Sequence, residues 1–433
     1  MTLTPARPAV DSWPGLAVVP SGPRAAVSAR VAKRLFRAAI DRLDVTVVAG
    51  DETFGKGGPV AVIHRPDEFY ARIGRHQLIG FGEAYLTGAW DTREPGDLGA
   101  FLTVLAAEVS DLVPQSLQRL RAAIVARPPS LHRNTEHNTR DNIAHHYDLS
   151  NDLFEQFLDS SLSYSSALFP SEVVDRGDHL QATAPYDAPV SAGLHDAQIH
   201  KIERMLDEAH VGPGSRVLEI GSGWGELAIR AASRGATVRT ITLSTEQQAL
   251  ARQRVAAAGL SELVSVDLCD YRAVDGSYDA VVSVEMIEAV GWEYWQTYFQ
   301  TIDRVLAPGG RVVIQAITMP HDRMLATRRT YTWINKYIFP GGFLPSVQVL
   351  DEITDDHTTL ALTGRLSFGA HYAETLRLWD EAFLAASQRI LGLGFDGTFL
   401  RMWHFYLEYS RAGFAAAYLD VNQLTFTRPT DSV

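Results

Sequence analysis

Cysteine is nearly absent. The 433-residue chain holds one, Cys269, so no disulfide can form within it, and a reducing cytoplasmic setting is expected. No Cys/His cluster has zinc-ligand spacing, so no metal is expected. Long apolar runs are also missing, and none reaches the roughly 18 residues of a membrane span. The opening MTLTPARPAVDSWPG lacks the apolar centre of a secretory signal. There is no internal repeat or low-complexity tract. Positive charge is scarce as well, and a net charge of −12 argues against a nucleic-acid partner. What remains is 46% hydrophobic and 21% charged, the make-up of a chain with a large core, and its length suits two domains.

The charge is unevenly spread. Residues 1–134 carry 16 Lys and Arg against 13 Asp and Glu, so the acidic excess lies entirely in the remainder. A basic N-terminal third points to an anionic surface as partner. Residues 24–43 predict an amphipathic helix, with Val27, Val31, Leu35, Phe36, Ile40 and Leu43 on a broad apolar face and Arg30, Lys33, Arg34 and Arg37 opposite. Such a helix either lies on an anionic membrane or docks on its own protein with its basic face in solvent.

Short strands follow at VTVVAG and GPVAVIH, then turn and short helix over 72–90, and helices at about 96–110 and 112–126. The polar stretch 126–142 reads as a linker, giving domains 1–130 and 131–433. From 215 onward strands alternate with helices: RVLEI, TVRTITL, VSVDLC, YDAVVSVEMI and GRVVIQAIT, then HTTLALTGRLSFG and helices over 371–416. This alternation predicts a parallel sheet covered on both faces, with ligands at the carboxyl ends of its strands.

One such end carries VLEIGSGWGELA (217–228). Gly221, Gly223 and Gly225 remove side chains where a ligand lies against backbone, and the next helix offers its first amides to an electronegative group. The spacing is not that of the dinucleotide fingerprint. With Glu219 two residues before the first glycine, it resembles motif I of S-adenosylmethionine (AdoMet) methyltransferases. Thr242, Leu243, Ser244 and Gln247 follow the second strand, where a ribose is held. Asp270 and Tyr271 follow the third, at the adenine edge and face, or else form a turn with a packed tyrosine.

Several collinear segments resemble the cyclopropane-fatty-acid synthase family: NIAHHYDLSNDLFEQFLDSSLSYSSALF (142–169), the glycine turn, TLSTEQQ, CDYR, WINKYIFPGGFLPS (333–346) and FGAHYAETLRLW (368–379). LIGFGEAYLTGAW is similar to the N-terminal part of two-domain members. The resemblance implies an α/β, Rossmann-like class I AdoMet methyltransferase fold with helical insertions, plus a smaller mixed α+β N-terminal domain. It implies transfer of a methyl group from AdoMet to the cis double bond of an acyl chain in an intact phospholipid. It also implies a bicarbonate ion as base, held by Cys, Glu, His, Ile backbone and Tyr. Tyr164, Ser165 and Ser166 stand at the family's Y-S-C, Glu288 at its glutamate, Gln315 at its histidine, Ile317 at its isoleucine and Tyr372 at its tyrosine. Serine for cysteine and glutamine for histidine put bicarbonate in question, since glutamine cannot carry a proton. Without the ion, Glu288 is the candidate base, oriented by Tyr372. His145 and His146 read as structural. The apolar segment Tyr337–Leu344 borders an acyl tunnel or packs in the core.

VEMIEAVG, QAITMPHDRMLATR and YLDVNQ are similar to the actinobacterial methyltransferases of tuberculostearic acid formation. This implies a 10-methylene product from an oleoyl chain, reduced by a partner reductase to 10-methylstearate. Cyclopropanation is the alternative. A small-molecule methyltransferase and a non-catalytic lipid- or AdoMet-binding protein stay open. The basic N-terminal residues and their flanking apolar face predict peripheral association with the inner face of the membrane, and the resemblance implies a homo-oligomer.

Overall fold

The computed structural model describes Pro8 and residues 11–93, 97–112, 150–186 and 191–428. The predicted helix 112–126, the linker 126–142 and His145 and His146 lie outside them, apart from Leu112. The chain divides into two compact units: Met1–Arg127 with Thr330–Ile338 and Trp379–Tyr418, and Pro128–Arg329 with Phe339–Leu378 and Leu419–Val433. A single cut at 130/131 was expected. The first unit also takes in two later segments, because its own helices need them as cover. Helix Gly397–Ala415 packs along helix Asp97–Leu112. Tyr337 donates a 3.0 Å hydrogen bond to the buried Glu83.

The first unit holds a four-stranded sheet in the order β2-β1-β3-β4, where β1 is Thr46–Ala49, β2 Glu52–Gly55, β3 Val60–Ile63 and β4 Trp90–Thr92. Where turn and short helix were expected, Pro66–Leu86 is helical, broken once at Gln77 (φ 52°). Its glycines lower helix propensity but let backbones meet. A Cβ on Gly74 would lie 2.7 Å from the Ser28 backbone of helix Pro23–Ile40. The facing of that second helix also corrects the sequence reading. It buries Ala25, Ala32 and Ile40, and leaves Val27, Val31 and Leu35 more than half exposed (59%, 53% and 56%).

The second unit is built on a nine-stranded sheet, ordered β5-β6-β12-β13-β11-β10-β7-β8-β9. Its strands are β5 Val173–Asp175, β6 Leu180–Ala182, β7 Arg216–Ile220, β8 Thr237–Thr242, β9 Val264–Leu268, β10 Tyr278–Val284, β11 Leu306–Thr318, β12 Ala361–Ser367 and β13 Asp420–Thr427. Strands β9, β8, β7, β10 and β11 run parallel, as predicted. The last element is a strand, not a helix: β13 enters antiparallel between β11 and β12. One apolar layer, with Leu218, Val281, Ile302 and Val312, covers one face, and another, with Ala228, Val238, Ala251 and Val282, covers the other. The chain leaves β7 toward β8 and β9 and returns to β10 on its other side. The carboxyl ends of β7 and β10 therefore bound the crevice where such sheets take ligands.

Candidate active site

The glycine turn leaves β7 into this crevice, and its glycines serve different ends. All three have positive φ (99°, 47° and 91° for Gly221, Gly223 and Gly225). A Cβ on Gly221 would sit 2.4 Å from Met286 Cγ, and one on Gly225 would press on Ala251. Only Gly223 faces open space. Glu219 lies at the end of β7, buried, with Oε2 bonded to nothing. Burial pushes its carboxyl up to about 8. An open backbone face at Gly223 and a buried Glu219 carboxyl oxygen without a partner fit the ligand that motif I predicts.

The neighbouring positions are more committed. Thr242 donates to the Gln247 side chain (2.8 Å), Leu243 is half-buried, and Ser244 caps helix Thr245–Ala257. Asp270 was expected at the adenine edge. It caps the turn Tyr271–Ala273, and the Arg272 guanidinium grips both its oxygens at 2.8 and 2.6 Å. Tyr271 stacks edge-on against Tyr298, its hydroxyl buried without a partner.

The second half of the site is assembled from distant segments. Residues 150–169 run across the sheet end, pinned by Arg254, which donates to the carbonyls of Ser160, Ser161 and Trp224. Tyr164 packs its ring on Phe154 and Phe157. Ser165 accepts from the buried Lys201 ammonium at 2.6 Å, and burial lowers that lysine to about 8. Helix Gly369–Ala385 holds the next residues. Thr375 accepts from Ala167 N–H (3.1 Å) and His371 Nδ1 from Phe169 N–H (2.9 Å). Burial pushes His371 down to about 4, which keeps it a neutral acceptor.

At the centre stands Glu285, which sequence reasoning passed over. Its carboxylate accepts from Ser166 N–H (2.9 Å), Gln315 Nε2 (2.9 Å) and Tyr372 OH (2.7 Å). Gln315 is held in that orientation from behind. Gln423 Nε2 donates to its Oε1 at 3.2 Å, and Arg204 donates to Gln423 at 2.5 Å. Glu285 has φ 51°, a left-handed conformation rare and strained for a residue with a Cβ. The available signal was an acidic residue breaking the apolar run of β10 at its carboxyl end. Gln423, Lys201 and His371 had no such signal, for their segments meet only in three dimensions.

Glu288 is placed differently from expectation. Its Oε1 accepts from Ile317 N–H at 2.5 Å and its Oε2 is unpartnered. Burial first, and repulsion from Glu285 second, raise it to about 8, so it is neutral at pH 7. Tyr372 was expected to orient Glu288; it bonds Glu285 instead. Burial raises Glu285 as well, while its three donors and the Lys201 ammonium act the other way and favour the ion. Both residues stay partly accessible, as expected of groups lining a cleft. Phe343 N–H bonds Glu288 O at 2.8 Å, placing the partly exposed Phe339, Phe343 and Leu344 along that edge. Tyr337 and Ile338 of the same predicted stretch fall in the first unit.

The donors expected around bicarbonate thus converge on the chain's own carboxylates: Ser166, Gln315 and Tyr372 on Glu285, and Ile317 on Glu288. These residues do not fit a separate bicarbonate ion, whose charge would sit against Glu285 with its donors already taken.

The strand order and the glycine crevice define the fold of class I AdoMet methyltransferases. Residues 134–424 match the mycolic acid cyclopropane synthetase family, and the chain belongs to it. It is 54% identical over 422 residues to the tuberculostearic acid methyltransferase UfaA1 of Mycobacterium tuberculosis, covering 96% of each chain. It is 33% identical to the cyclopropane-fatty-acyl-phospholipid synthase of Escherichia coli K12, over 86% of this chain and 88% of that one. The solved mycolic acid cyclopropane synthase CmaA1, complexed with SAH and CTAB, aligns with a TM-score of 0.57 at 29% identity, covering 69% of this chain and 98% of that one.

Proposed function

We propose that this protein transfers a methyl group from AdoMet to the cis double bond of an oleoyl chain in a phospholipid, leaving a 10-methylene branch that a partner reductase saturates. AdoMet is a substrate, consumed at each turnover. The observation that carries the reading is the pairing of a glycine crevice with a partly accessible acid cluster bordered by Phe339, Phe343 and Leu344. The similarity to a tuberculostearic acid methyltransferase supports the methylene product.

The chemistry sets the demands. Alkene π electrons form the new C–C bond as the S–CH₃ bond breaks, and the adjacent carbon becomes cationic. A hydride shift moves the charge to the methyl-bearing carbon. Loss of a proton from the former methyl, its C–H pair becoming the C=C bond, gives the methylene. Gly223 and Glu219 hold the donor, the apolar edge excludes water, and aromatic faces tolerate the cation.

The exposed Val27, Val31 and Leu35 stripe, flanked by Arg24, Arg30 and Arg34, supports peripheral binding to an anionic bilayer. No helix among the described residues is long and apolar enough to cross a membrane. Val31→Glu is expected to weaken sedimentation with anionic vesicles several-fold, and high salt to weaken it in the unmodified protein. Binding indifferent to both would refute this part.

The enzymatic reading is tested by incubating oleoyl-phospholipid vesicles with the protein and methyl-labelled AdoMet. Label in the acyl chain is expected. Label only in soluble acceptors, or none, would overturn it.

A further inference from the structure

We infer that Glu285 is the general base of this reaction, its carboxylate built into the place where a bicarbonate ion would otherwise be held. The inference rests on the alkene-methylation reading above and names the group that completes it.

Three observations converge on this residue. The carboxylate sits in a ready anion site, with the Ser166 amide, the Gln315 amide and the Tyr372 hydroxyl all directed at it within 2.9 Å. The chain tolerates φ 51° at Glu285 to put it there, strain that persists where surrounding structure enforces it. Its chain neighbour Met286 packs against Gly221, so Glu285 is one residue along the chain from the wall of the glycine crevice. Gln315 contributes by its neutrality. It donates to Glu285 without competing for the proton, whereas a histidine there would offer a second titrating group.

In the step, the cationic intermediate gives up a proton from the transferred methyl to a Glu285 oxygen. The C–H electron pair becomes the methylene double bond, and Glu285 becomes a neutral acid. The proton returns to solvent after product leaves. Glu288, already neutral and bonded to the Ile317 amide, borders the base and is not it. The other groups around Glu285 are the Lys201 ammonium and the Tyr372 hydroxyl.

Two variants test the assignment. Glu285→Gln keeps the side chain's shape but cannot take a proton. Lipid methylation is expected to fall by ~100-fold or more, with AdoMet affinity by calorimetry unchanged. Glu285→Gly relieves the strained φ and opens the anion site. It should bind ¹³C-labelled bicarbonate by NMR titration and regain activity as bicarbonate is added. The unmodified protein should neither bind the ion nor respond to its removal. Wild-type turnover that stops in bicarbonate-free buffer and returns on adding the ion would overturn the assignment, as would a fully active Glu285→Gln. Should the unmodified protein methylate no lipid, the functional reading itself fails. Bicarbonate binding to Glu285→Gly but not to wild type still decides whether Glu285 fills an anion site.

Discussion

The glycine crevice and the acid cluster lie at the ends of adjacent strands, yet they are built in opposite ways. The crevice comes from one contiguous stretch, Glu219 to Gly225, whose backbone does the work. The cluster draws Ser166, Glu285, Gln315, Tyr372 and Gln423 from five separate segments, held by a relay of side-chain hydrogen bonds. A backbone cradle tolerates variation around it. A side-chain relay changes chemistry when one member changes, and this is where the chain departs from the family pattern.

The two regions should therefore fail separately. Glu285→Gln is expected to remove turnover and spare AdoMet binding, the largest effect. Gly223→Val should do the reverse, weakening AdoMet by ~10–100-fold through the lost open face and about 1–3 kcal/mol of backbone strain. If calorimetry gives this variant wild-type affinity, AdoMet lies elsewhere. Tyr372→Phe removes one donor to the Glu285 ion, worth ~1.5–3 kcal/mol, or roughly 10–100-fold in rate at neutral pH. Because that donor favours the ionised form, its loss raises the Glu285 pKa. The acid limb of the rate profile should then move to higher pH, with Glu288 and Lys201 shaping the same limb. An unmoved limb would place Tyr372 outside the relay.

The smallest effect is on stability. Glu219 and Glu288 both sit near 8, against an ordinary 4.5, because burial disfavours the charge. The folded chain keeps protons that the unfolded chain releases. Their contribution is full below 4.5 and lost as pH rises through about 8. Glu288→Gln should flatten the fall in melting temperature across that window, and an unchanged slope would count against a neutral Glu288.

Legibility followed the same division. The alternation of strands and helices, and the glycine turn, were readable because each rests on local periodicity and backbone need. Ser166, Gln315 and Tyr372 were readable as members of one site, though as holders of a bicarbonate ion, with Tyr372 orienting Glu288 where the ion is absent; the structure turns all three on Glu285. Nothing in VEMIEAVG itself says which acid points at which donor; the left-handed turn at Glu285 decides it. The helix Pro23–Ile40 misled for a related reason. Its apolar arc, read as one broad face that meets either a membrane or its own protein, is split by packing into a buried alanine side and an exposed Val27–Val31–Leu35 side. Strand β13 was hidden because its pairing partners, β11 and β12, come from segments far earlier in the chain.

The most direct test of the account is the fate of the methyl hydrogens. With AdoMet carrying a CD₃ group and oleoyl-phospholipid vesicles, the product acyl chain should hold two deuterons, both on the =CD₂ of a methylene branch, seen as vinylic signals by deuterium NMR. A ring carrying the two deuterons would contradict the methylene-forming branch, and a chain retaining all three would contradict proton removal from the transferred methyl altogether.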